Sequence, residues 1–259
     1  MIDWADKSAA FRKYLALKTE PVVFKRLEKA DELDHIKGLT RMDKTHTFCQ
    51  LPFMVRTMGM ILGVESDSKI LDRCKRLHAL KPTTEETMQT EANMLSKTWF
   101  ASPEDAMVQQ KDYPLMPVGE AIVLAPLARI SFEPDVISIF GNPAQIMMIM
   151  CGLQKVKYEK FNFSFIGEGA CTDSIAQCFV SGKPALAIPC YGERAMGQVP
   201  DDEIVIALPP GEIDRAIEGM RLLKKVGFIY PTVNIGGITN PLYALANFYP
   251  AAEKAKGSA

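Results

Sequence analysis

Two cysteines of this chain stand in glycine-containing turns: Gly167-Glu-Gly-Ala-Cys171-Thr-Asp173 and Ile188-Pro-Cys190-Tyr-Gly192-Glu-Arg194. Thiols at the ends of secondary-structure elements, beside charged and polar neighbours, are placed for chemistry more than for packing. Cys49 and Cys74 lie upstream in similarly polar surroundings. Iron–sulfur clusters and structural zinc both require thiolates that converge on one point. The expected metal-ligand set is therefore Cys49, Cys74, Cys171 and Cys190. Each is a singleton and no CxxC pair is present, so convergence depends on loops meeting at one end of a sheet. The opposing reading is packing, because free cysteine is a common small buried hydrophobe. Cys151 and Cys178 sit inside apolar helical patterns and are expected in the core.

A second constellation overlaps the first. His46 and Cys49 are three apart, and Cys74 and His78 are four apart, so the latter two share one face of the helix expected there. Together they would make a Cys2His2 zinc set, with a gap too long for a zinc finger. The alternative is two surface histidines beside unrelated thiols. Gly167 and Gly169 precede a helix expected at Thr172, where backbone N–H groups can receive a phosphate or carboxylate. Gly192 offers the same close backbone approach in the second turn. The pattern is neither GxGxxG nor a P-loop, so nucleotide binding is weakly supported, and a sharp strand-to-helix turn explains the glycines equally. Cys171, Asp173 and Arg194 are the candidate catalytic residues. A helix start would favour a Cys171 thiolate. Asp173 could act as acid/base or simply cap the helix. Arg194 could grip a carboxylate or pair with Glu193, Asp201 or Asp202. Glu133 and Asp135, flanking Pro134, read as a loop salt bridge or turn. Cys171 as a metal-free nucleophile lacks an evident partner, because His35, His46 and His78 all lie in the N-terminal half.

The elements that must position these residues follow from periodicity. Trp4, Phe11, Tyr14 and Leu15 fit an amphipathic helix, and residues 21–27 fit a strand. Ala30 to Lys37 reads as a surface connection. Thr47 to Leu62 is helical in pattern, softly broken at Pro52 and Gly59. Helices are expected from Asp67 to about Leu80, from Thr83 or Thr84 to Leu95, and from the Ser102 N-cap with Pro103 at the first helical position. The cluster Arg73-Cys-Lys75-Arg76 reads as a solvated helix face. Beyond Tyr113 strands and helices alternate. Strands are expected at 121–127, 136–140, 161–165, 185–188 and 203–208, with helices at 143–153, 172–180 and 210–225. The fold class is α/β or α+β: one compact domain with a mixed sheet built mainly from residues 121–225 and a helical N-terminal layer (1–118).

Composition narrows the function. The chain has 259 residues, 47% of them hydrophobic, and a formal net charge of −1. A chain of this size buries roughly 70–75% of its unfolded surface and needs no disulfide staples. Near-zero charge argues against a nucleic-acid partner. The acidic N-terminus lacks a secretory pattern, and the longest apolar run is far short of the roughly 20 residues of a membrane span. A cytosolic protein with reduced thiols is expected, with no membrane association.

Leu124-Ala-Pro-Leu127, Phe132-Glu-Pro-Asp135, Phe140-Gly-Asn-Pro-Ala-Gln145, Cys171-Thr-Asp173, Ile188-Pro-Cys190-Tyr-Gly192-Glu-Arg194 and Asp201-Asp-Glu203 resemble the DUF169 family. Phe48-Cys49-Gln50 and the segment around Cys74 resemble its N-terminal half. The resemblance runs from about residue 20 to 225 and is most specific at 140–145 and 188–194. It implies the fold and single cysteines at Cys49, Cys74, Cys171 and Cys190. It carries no reaction. The stretch from Leu80 to Phe100 departs from it by lacking a glycine-rich follow-on after the second cysteine.

The functional expectation is an enzyme whose cysteine-lined site holds an iron–sulfur cluster or a divalent metal such as zinc and acts on a small anionic organic molecule. The rival is a non-catalytic organic-anion binder with structural cysteines. The segment after Tyr230, with Gly236-Gly237 and the apolar run 242–249, is expected to be an arm that docks on a second copy in a homo-oligomer.

Overall fold

A computed structural model describes residues 3–232. The elements in chain order are α1 (Trp4–Leu15), β1 (Val22–Leu27), β2 (Leu39–Arg41), α2 (Gln50–Met58), β3 (Ile61–Glu65), α3 (Asp72–Leu77), α4 (Glu85–Leu95), α5 (Pro103–Asp112), β4 (Ala121–Pro126), β5 (Val136–Gly141), α6 (Pro143–Val156), α7 (Gln177–Ser181), β6 (Ala185–Ala187), α8 (Tyr191–Ala195), β7 (Ile204–Leu208) and α9 (Ile213–Lys225). A π-helical turn, Thr172–Ala176, leads directly into α7. Three N-caps act as the sequence predicts, whereas the helix expected from Asp67 starts only at Asp72, after Leu71. Thr84, Ser102 and Asn142 each accept from a backbone N–H three residues on.

Among the described residues, seven strands form one mixed sheet in the order β2-β3-β4-β1-β5-β7-β6. Only the β2–β3 pair is parallel. The β1 strand sits at the centre, antiparallel to both β4 and β5. The α/β expectation stands, with one enlargement: three of the seven strands come from the N-terminal part. The expected 47–62 helix ends instead at Gly59, whose positive φ (70°) lets the chain reverse into β3. Periodicity missed β3 because Ile61-Leu-Gly-Val64 is buried on both faces and does not alternate. The expected strand at 161–165 is absent. Phe161 and Phe163 stack there instead, at 5.9 Å between ring centroids, and Phe161 packs against the core outside any ladder.

Strand alternation divides the core into two layers. Val23, Val123, Ile137, Ile139 and Ile206 face α1, α6 and α9. Phe24, Leu62, Leu124, Val136 and Val205 face the opposite side, where α2 and the π turn pack. Cys74, Cys171 and Cys190 pack against that second layer, and Cys49 follows Phe48, which is buried in it. Cys178 is buried there as expected, whereas Cys151 on α6 is only half-buried. The proposed oligomerisation arm lies outside the described residues. Among the described residues, no helix is long and apolar enough to cross a membrane.

Candidate functional site

Four separate segments deliver the four cysteines. Cys49 ends the turn that opens α2, and the Gln50 side chain accepts from the Thr47 N–H at 2.9 Å to hold that turn. Cys74 lies on α3. Cys171 stands one residue before the π turn, and Cys190 one residue before α8. A π turn is uncommon and recurs at functional sites, where it re-aims side chains by inserting one residue.

The folded chain brings Cys49 and Cys190 into direct contact, with the Cys49 thiol donating to the Cys190 sulfur. A methyl group placed on Gly192 would stand 3.4 Å from Cys49 Sγ and 3.7 Å from Cys190 Sγ. Cys171 is electrostatically coupled to both, and also to Cys74. Cys74 Sγ accepts the Phe48 N–H at 3.3 Å, which ties α3 to the turn carrying Cys49. The loop after α8 seals the same region. At Gly197 a Cβ would lie 2.5 Å from the Cys49 carbonyl oxygen, so only glycine permits this approach.

The thiols are not equivalent. Cys190 is held down to about 6 by the Cys49 donor and by the backbone N–H groups of Glu193, Ala170 and Gly192, against its own burial. Cys49 is raised, because it donates to Cys190, is buried and faces Cys171 and Glu193. Burial raises Cys171, reinforced by Glu193, Cys190 and Cys74, and burial raises Cys74. The arrangement favours charge on Cys190 and opposes it on Cys49, Cys74 and Cys171. Glu193 is 4% exposed and its Oε2 finds no hydrogen-bond partner. Burial and the neighbouring Cys190 charge push its carboxyl up to about 8.

The remaining predicted residues fall around this pair. Asp173 is buried, and its carboxylate accepts the Ile166 and Gly167 N–H groups at 2.8 and 3.1 Å. It thereby closes the 166–173 loop and does not cap the helical turn that it belongs to, whose N-cap position is Cys171. Gly167 adopts a positive φ in open space, and Gly169 packs where a Cβ would meet Tyr113 and Thr172. Arg194 donates to the Pro200 carbonyl at 2.6 Å and stands 3.8 Å from Asp201. Asp135 takes the structural role expected, accepting from Lys25 Nζ and the Arg26 N–H.

Two expectations are corrected. His46 bonds through Nδ1 to the Lys44 carbonyl, while His78 is fully buried, stacked on Phe48 at 3.3 Å and bonded through Nδ1 to the Cys74 carbonyl. His78 is therefore no surface residue, and burial lowers its pKa to about 3. The Arg73–Arg76 cluster is no solvated face either. Lys75 and Arg76 are buried, and Arg73 and Arg76 both pair with Glu91. Arg73 also donates to Glu168 and, at 2.6 Å, to Tyr113, while Gln109 and the Tyr113 hydroxyl donate to Glu168 at 3.1 and 3.0 Å. Sequence reasoning missed this network and also Glu193. The acidic and aromatic partners sit 15 to 95 residues from the arginines, where no local pattern reaches.

The thiols share their surroundings with charged groups: Arg73 acts electrostatically on Cys74 and Cys171, and Glu193 on Cys49 and Cys171. In the present placement Cys49 and Cys190 form a close pair. Among the described residues no three His, Cys, Asp or Glu side chains stand together as a closed metal-ligand set.

An uncharacterized protein of Methanocaldococcus jannaschii, MJ0308, is 27% identical over 107 residues. That match covers 41% of this chain and 46% of the relative, so it spans less than half the relative's length. No solved structure matches the chain. The DUF169 family model, described as Uncharacterised ArCR, matches residues 10–219, the span that carries the whole sheet and all four cysteines, and the chain belongs to that family.

Proposed function

We propose that this chain is a cytosolic enzyme whose site is built on Cys49, Cys171 and Cys190 with Cys74, and that these thiols hold an iron–sulfur cluster or a thiophilic divalent ion. The observation that supports it is the contact of Cys49 with Cys190, with Cys171 near enough to act electrostatically on both and Cys74 near enough to act on Cys171. Buried thiols raise one another's pKa values when nothing compensates their charge, and a bound cation supplies that compensation. Such a centre, when bound, contributes Lewis acidity or a redox couple to a small organic anion. The chain's own residues orient the sulfurs: three backbone N–H groups hold Cys190, the Phe48 N–H holds Cys74, and Gly197 lets the 196–198 loop close over Cys49.

Anaerobic purification followed by iron, zinc and acid-labile sulfide analysis tests this reading. One centre per chain, lost in Cys49→Ser and Cys190→Ser, is the expected result. Protein that is metal-free at full stability, and unaltered by reconstitution with iron, sulfide or zinc, would end it.

A second reading is favoured by the placement of Cys190, one residue before α8 with the Glu193, Ala170 and Gly192 N–H groups and the Cys49 thiol directed at its sulfur. Cys190 can serve as a metal-independent nucleophile, its charge stabilised by N–H donors and Cys49 in place of the absent histidine partner. Turnover that survives exhaustive chelation and vanishes in Cys190→Ser would select it.

A further inference from the structure

The α4–α5 hairpin is joined to the body in an unusual way. Its two helices pack chiefly on each other. They share a miniature core of Ala92, Leu95 and Ala106, with Phe100 and Met107 against it, separate from both layers of the main core. The hairpin helices meet the rest of the chain through polar and aromatic contacts rather than through a broad apolar face. Glu91 on α4 pairs with Arg73 and Arg76 on α3. Gln109 on α5 and Tyr113 at its end bond Glu168. At the opposite tip, Trp99 meets Tyr191 edge to face at 6.1 Å, with 51% and 71% of the two side chains exposed.

Each attachment flanks a cysteine. Arg73 precedes Cys74, Glu168 lies three residues before Cys171, and Tyr191 follows Cys190. The hairpin therefore borders the thiol site at its base and at its tip. We propose that the α4–α5 hairpin is a lid over the cysteine site, clasped by Arg73, Arg76 and Glu168 and latched by Trp99 on Tyr191, whose opening admits the metal or substrate. This inference rests on the reading of the cysteines as a functional site. It does not depend on whether a metal is the occupant. The physical argument is the type of contact. A buried ion-pair clasp yields little net stability, because desolvation opposes the Coulombic gain, yet it defines one closed geometry. Segments held by few apolar contacts open locally without global unfolding.

The test uses the full-length protein, treated with chelator, and N-ethylmaleimide as probe. Site-resolved alkylation is followed by peptide mass spectrometry in the parent, in Trp99→Ala and in Glu91→Gln. Cys151, on α6 in the other core layer, is the internal control. Loss of an aromatic pair should speed alkylation of Cys190 and Cys171 by roughly threefold to tenfold in Trp99→Ala. Cys151 should stay unchanged. Hydrogen exchange of the unmodified parent provides a readout that needs no variant. Amides of residues 85–112 should exchange together, before those of β1, β4 and β5. The proposal is overturned if Cys171 and Cys190 alkylate at the parental rate in both variants, if Cys151 accelerates equally, or if the hairpin amides exchange only with the central strands. A metal-free protein that still shows hairpin-gated alkylation would remove the metal reading and leave the lid standing.

Discussion

The Cys49 thiol donates to the Cys190 sulfur across the gap between the turn that opens α2 and the turn that opens α8. That contact makes the two sulfurs chemically different: it favours charge on Cys190 and opposes it on Cys49. It also makes Cys190 reactivity a direct report on the assembly of the site.

Cys190 should alkylate with a pH midpoint near 6, well below an ordinary thiol. In Cys49→Ala the midpoint should rise, because a donor to the thiolate is gone while the backbone N–H groups remain. Iodoacetamide rates for chelator-treated protein between pH 5 and 9, read by peptide mass spectrometry, check both statements. A Cys190 midpoint above 8 in the parent would show that the thiolate is not stabilised.

Glu193 ties stability to pH. Its folded-state pKa is raised to about 8 from an ordinary 4.5, so between those values the folded protein binds more protons than the unfolded one. Its contribution is therefore fully present below pH 4.5 and is lost as pH rises through 8. Cys190 works in the opposite sense, its contribution falling away as pH drops toward 6. The difference between the parent and Glu193→Gln isolates the carboxyl. In urea unfolding of chelator-treated protein, Glu193→Gln should gain stability relative to the parent at pH 9 and sit close to it at pH 5. A constant offset at both pH values would contradict the assignment.

Arg56 and Glu203 form a buried pair at 2.6 Å, and the Arg56 guanidinium lies 4.5 Å from the Phe140 ring centroid. Removing one partner leaves an uncompensated buried charge, so Arg56→Ala should cost about 3–5 kcal/mol. Replacing both by Met and Leu should recover much of that loss. Denaturant midpoints of the two proteins decide the point, and a single variant within 1 kcal/mol of the parent, an order-of-magnitude bound, would show the pair to be water-exposed in solution.

Gly197→Ala should damage the site more than the fold. The new Cβ would press on the Cys49 carbonyl oxygen at 2.5 Å and on the Glu193 carbonyl oxygen at 2.7 Å. Backbone must shift to relieve this, at about 1–3 kcal/mol. The same shift separates Cys49 from Cys190. Thermal melts should show a modest loss, while the Cys190 alkylation midpoint moves upward. An unchanged midpoint would show that the loop gives way without disturbing the sulfurs.

Much of the local structure is legible in the residues. Thr84, Ser102-Pro103 and Asn142-Pro143 start helices where capping chemistry requires, because a cap acts within one turn of chain. Short apolar runs mark β4 and β5, and strands are also expected where β1, β6 and β7 lie. The apolar run of β3 merges with the helical pattern before it, and at 161–165 alternating phenylalanines pack without a strand partner.

The sequence by itself determined the mixed α/β class, the capped starts of α4, α5 and α6 and the four cysteines worth following, all properties set by neighbours along the chain. Only the tertiary structure decided that β1 sits at the centre of the sheet, that Arg73 and Arg76 turn inward to Glu91 and Glu168, and that Cys49 meets Cys190 rather than His46. Each of these joins segments distant in the chain, and their pairing follows from how two faces of one sheet are covered, not from the spacing of residues.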